Sequence, residues 1–150
     1  MKRAIILAGT VALLAFGGQT AYGCSCLVPT ASEIESFSEA EFARRFAGAG
    51  GAAFTGRVVE AGRVNTRLGW LKRFTFEVES YWRGPGAKRV DIHTAAQGAA
   101  CGVSYAVGGK YLVFATSHDG VLHTNLCTHI SATKNRKVLL RRLGKGVKPK

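Results

Sequence analysis

Between residues 52 and 127 apolar and polar positions recur mostly with a period of two, the spacing of half-buried strands. The segment 52–62 carries Phe54, Val58 and Ala61, and Gly56 marks a place for a β-bulge. Residues 70–82, with Leu71, Phe74, Phe76, Val78 and Tyr81, predict a longer strand with one buried face. Arg83-Gly84-Pro85-Gly86 is a turn. A strand with Val90 and Ile92 inward is then predicted over 88–94, and a buried one over 110–116, centred on Tyr111-Leu112-Val113-Phe114-Ala115. His118-Asp119-Gly120 reads as a hairpin turn into a fifth strand at 121–127.

The period changes at either end. Ser38 followed by Glu41 is a capping box, and Phe42, Phe46 and Ala49 form an apolar stripe at helical spacing. Gly48, Gly50 and Gly51 stop that helix. A basic helix is predicted over 133–143, with Val138, Leu139 and Leu143 on its apolar side and Gly144 as its stop. Five strands with one or two short helices predict a mainly β chain, a five-stranded OB-type Greek-key barrel. Closing the barrel also removes exposed sheet edges.

Composition adds a boundary at each end. A chain of 150 residues, 47% apolar and 20% charged, suits one folded domain. Its formal charge of +12 is unevenly spread. Residues 24–133 hold 11 Lys/Arg against 9 Asp/Glu, whereas 134–150 hold 8 basic residues and no acidic one. The domain body at 24–133 is thus near neutral. Residues 134–150 read as a basic helix and tail with a solvated face, the rival reading being attachment to an anionic surface or polysaccharide.

Residues 1–23 read as a secretory signal peptide. Lys2 and Arg3 supply its charge, 4–16 its apolar run, and Ala21-Tyr22-Gly23 a cleavage site before Cys24. No later stretch is apolar enough for a transmembrane helix. The expected destination is secreted, extracellular or periplasmic, and the expected state a monomer.

Export decides how Cys24, Cys26, Cys101 and Cys127 are read. An even count bound for an oxidising compartment predicts two disulfides, and spacing leaves three connectivities open. A direct Cys24–Cys26 bridge would be a strained ring, so each reaches for Cys101 or Cys127. No CxxC pair suggests a zinc site. His93, His118, His123 and His129 look scattered over strands and turns. The carboxylates form no pair placed for acid–base work, and no phosphate loop or HExxH is present. Enzymatic activity and a bound cofactor are therefore not expected.

Cys24-Ser25-Cys26 directly after a cleavage site resembles the mature start of the tissue inhibitors of metalloproteinases. Phe54-Thr55-Gly56-Arg57-Val58 is similar to that family's first strand, and Tyr81-Trp82-Arg83-Gly84 to the end of its second. Cys101-Gly102 and the Asp119-Gly120-Val121-Leu122-His123 approach to Cys127 follow in the family's order. The likeness spans Cys24 to about Cys127, the netrin-like N-terminal domain, although the pair forming that domain's third disulfide is missing.

The resemblance implies an OB-type barrel with Cys24–Cys101 and Cys26–Cys127 disulfides. It implies inhibition of a zinc metalloproteinase, with the freed Cys24 amine and carbonyl chelating the target's catalytic zinc. Ser25 would enter the pocket beside the zinc, and Cys26, Leu27 and Val28 would lie along the substrate cleft. Ala99 and Ala100 would form a second contact ridge. The competing expectation is a netrin-like module that binds a secreted protein or an acidic polymer without inhibiting anything.

Overall fold

The computed structural model describes residues 23–46, 50–67 and 69–150. Apart from Gly23, the signal segment 1–23 lies outside the described residues, as do Gly48 and Ala49 at the end of the first expected helix.

Two short helices come first, α1 (Ala31–Ser36) and α2 (Glu39–Phe46). The strands are β1 (Ala52–Thr66), β2 (Gly69–Arg83), β3 (Arg89–Ala95), β4 (Lys110–His118) and β5 (Val121–His123). Helices α3 (Leu126–Lys134) and α4 (Arg136–Leu143) follow. The strands close into a barrel in the order β1-β2-β3-β5-β4. This five-stranded arrangement is the OB-type barrel expected of the sequence. Its seam is a single parallel pairing, His93 with His123.

β1 and β2 form a hairpin longer than the alternation suggested, paired down to Thr66 and Gly69. Only residues 52–57 of β1 also pair with β4, so beyond Arg57 β1 has β2 as its one strand neighbour, while β2 stays in the wall by pairing with β3 from Leu71 to Glu77. The β1–β2 register shifts at Thr55/Gly56, the expected bulge site. A Cβ on Gly56 would lie 2.7 Å from the Glu77 carbonyl oxygen, so glycine permits the close approach.

Inside the barrel are Phe54, Val58, Phe74, Phe76, Ile92, Val103 and Tyr105. Phe74 and Phe76 meet the Tyr105 ring edge-on at 5.2 and 5.1 Å. A second core lies on the outer face of β1 and β4, where Ala53, Leu112 and Phe114 meet Ile34, Phe42, Phe46, Ala132, Val138 and Leu139. β4 buries both faces, which explains its unbroken apolar run.

Two sequence expectations are corrected and one helix is new. The fifth strand ends at His123, not 127, because Asn125 starts α3 by accepting from Thr128 N at 3.0 Å. Cys127 therefore sits on a helix. Helix α1 was not foreseen, although Thr30 and Glu33 form a capping box with Thr30 N–H donating to Glu33 at 2.7 Å. The basic 133–143 helix is two helices meeting at Asn135, whose side-chain amide donates to the Pro29 carbonyl at 2.9 Å. The Ser38–Glu41 capping box forms as expected, with mutual bonds of 2.9 and 3.2 Å.

Residues 134–150 carry a solvated basic face, as expected, but they are also tied to the body of the domain. Val138 and Leu139 are buried, each contributing roughly 1.5–3 kcal/mol through burial. Arg142 donates to the carbonyls of Ile34 and Phe37 at 2.6 and 2.7 Å and to Glu39 at 2.8 Å. Arg141 pairs with Glu35. Trp82 donates its indole N–H to the Gly144 carbonyl at 2.9 Å, and Val147 bridges to Tyr81.

Candidate functional site

Residues 23–30 have no helix or strand partner, yet they are fastened at three points. Cys24 is bonded to Cys101 and Cys26 to Cys127, with Cα–Cα distances of 5.4 and 5.0 Å. The Asn135–Pro29 bond holds the far end. The connectivity is the one that the family resemblance implies.

The partner ridge is a tight 3-10 turn, Gly98–Ala100, closed by Cys101 N–H donating to the Gly98 carbonyl at 3.0 Å. Cys101 itself is left-handed, at φ 60°, which carries it out of the turn toward Cys24. A Cβ on Gly102 would fall 2.1 Å from the Ala95 carbonyl oxygen, so only glycine lets the chain double back here. Leu126 N–H donates to the Cys101 carbonyl at 2.8 Å, which joins the ridge to the start of α3.

Exposure along the stapled segment alternates. Cys24, Cys26 and Val28 are half-buried, whereas Ser25 is exposed and Leu27 is 96% exposed. Ala99 and Ala100 are exposed beside it, and the Cys24 sulfur lies 3.9 Å from the carbonyl oxygens of Gly98 and Ala99. Cys24, Ser25, Cys26, Leu27, Val28, Ala99 and Ala100 thus share one ridge. Gly23 is exposed, with nothing within 4 Å of where a Cβ would stand, so the bond before Cys24 is accessible.

The histidines are not scattered. His93, His118 and His123 line one cleft of about 640 Å³ between the β1–β2 tip and the β4–β5 turn. The His93 and His123 rings lie 5.8 Å apart. Burial first, then the neighbouring His93 and His118, hold the His123 imidazole below the ordinary histidine pKa. Local spacing hid this grouping, because His93 reaches the others only through the β3–β5 pairing. His129 stands apart under Tyr105 and Tyr111, its pKa lowered by burial and its Nδ1 buried without a hydrogen-bond partner.

Among the described residues, no group of three or more His, Cys, Asp or Glu is arranged to hold a metal ion. Among them, too, no helix is long and apolar enough to cross a membrane. No protein-family model matches the chain. No curated protein matches it either.

Proposed function

We propose that the chain is a secreted inhibitor of zinc metalloendopeptidases that acts through the N-terminus freed by cleavage after Gly23. The observation that carries this reading is the doubly stapled, extended segment whose Ser25 and Leu27 side chains face outward beside an exposed ridge. It has the form of a peptide laid ready for a protease cleft. The order of motifs shared with the tissue inhibitors of metalloproteinases supports the same reading.

Cleavage before Cys24 leaves an α-amine with a reference pKa of about 7.7–8.0, which a metal deprotonates readily. The Cys24 nitrogen and carbonyl oxygen ligate the target's catalytic zinc together in a five-membered chelate. They thereby take the position of the attacking water. The chain contributes only these two main-chain donors, so it needs no metal site of its own. Ser25 fills the pocket beside the zinc, and Leu27 and Val28 follow the substrate cleft. Because the disulfides fix this strip beforehand, binding loses little conformational entropy.

The test is titration of metalloendopeptidases with three forms: chain starting at Cys24, the same chain acetylated, and chain keeping Gly23. Inhibition by the first alone is expected, with the other two weakened at least about a hundredfold, or roughly 2.7 kcal/mol. Equal potency of all three forms, or inactivity of all three, overturns the proposal.

A further inference from the structure

A second site lies on the barrel's outer wall and does not depend on the N-terminal segment. Antiparallel pairing sets Leu71 opposite both Val64 and Ala95, and Arg73 opposite His93. Leu71 and His93 therefore share the face opposite the buried Phe74 and Ile92. β5 brings His123 beside His93, and the β4–β5 turn brings His118. Val64, Leu71 and Val121 line the cleft with apolar surface. Its volume of about 640 Å³ falls in the range of small-molecule sites.

Fixed charges nearly cancel there. Arg67 and Asp119 both line the cleft. On the neighbouring strands Arg73 is committed to Glu60 at 2.6 Å and faces Asp91 at 3.9 Å. The sign of the cleft is therefore set by its three imidazoles, the side-chain type that gains charge just below neutral pH. Charging them side by side is costly unless an anion joins them. The depressed pKa of His123 comes first from burial and then from the neighbouring His93 and His118, the second cause being that repulsion.

We propose that this cleft binds a small amphipathic carboxylate, its apolar body against Val64, Leu71 and Val121 and its anionic head among His93, His118 and His123. Binding takes up protons and tightens as the medium acidifies. The apolar wall selects the body, and the imidazoles select the charge and the pH.

The probe is 2-naphthoate, titrated calorimetrically at about pH 7.5 and about pH 5.5 in two buffers of different ionisation heat, with 2-naphthamide as the neutral control. The expected result is at least about tenfold tighter naphthoate binding at the lower pH, with net proton uptake, and a pH-independent amide. The exposed His118→Gln variant should lose part of the pH effect, and His93→Gln with His123→Gln the rest. If those two substitutions unfold the chain, the histidine ring-proton NMR shifts of the unaltered protein should move on adding naphthoate. Undetectable naphthoate binding, equal affinity at both pH values, or equal pH response from the amide overturns the site.

Discussion

The Leu126 N–H donates to the Cys101 carbonyl at 2.8 Å, one residue before Cys127 on the helix and within the turn that receives Cys24. This bond sets both disulfides on one edge of the barrel. Their partners are 77 and 101 residues away in sequence, yet they fasten the same short strip. The strip's geometry therefore depends on the β3–β4 connection and on α3 together.

Replacing Cys26 and Cys127 together by serine should lower stability by about 2–5 kcal/mol, given the long loop the bridge closes. Urea denaturation under non-reducing conditions checks it. On the proposed inhibitory reading, the same variant should also lose potency toward the protease, because Leu27 and Val28 then lose their nearest anchor.

Gly102→Ala should destabilise the chain by more than about 2 kcal/mol, since the added methyl meets the Ala95 carbonyl at 2.1 Å. Gly62→Ala, with open space around it and no positive φ, should leave the melting temperature nearly unchanged. Thermal melts of the two variants give the contrast directly.

Arg142→Ala should cost about 2–4 kcal/mol, because the guanidinium satisfies two carbonyls and is 15% exposed. Arg141→Ala, whose side chain is 70% exposed in its pair with Glu35, should cost under about 1 kcal/mol. Equal losses in denaturation midpoint would refute the distinction. Deleting 134–150 should consequently unfold the helical core as well as remove charge. Binding to an anionic polysaccharide is better tested by reversing Lys134 and Lys137, both exposed, and comparing salt elution from a heparin column.

Stability should fall as pH drops below about 6.5. His129 has a lowered pKa in the folded chain, so the unfolded chain takes up the proton first, and stability declines from 6.5 to the folded value. His129→Gln should remove its share of that decline and leave the share due to His123, whose pKa is lowered as well. A second decline begins below 4.5, where Glu33 and Glu41, held down by their bonds to Thr30 and Ser38, lose their advantage on protonation. Urea midpoints across pH for both proteins separate the two windows.

The barrel was legible where side chains alternate or run unbroken, as in β2, β3 and β4. So was the Ser38–Glu41 cap, because its partners are three residues apart. The Thr30–Glu33 cap carries the same signal, but Ile34 is the one buried residue of the six that follow Thr30, so no apolar stripe marked them as a helix. The end of β5 was missed because Leu126 and Cys127 continue an apolar rhythm that Asn125 interrupts. The ridge was only partly readable. Spacing left the disulfide pairing open, and the family resemblance supplied it. The histidine cleft was invisible, since nothing local links His93 to His123.

A chain synthesised from its amino end exposes Cys24 and Cys26 long before Cys101, Cys127 and Asn135 exist to hold them. The strip at 24–29 therefore cannot be locked in place before those partners have been made. Reduction would leave the strip its Asn135–Pro29 bond and take away both covalent anchors, so its fixed shape reports that the distant ends of the barrel have come together.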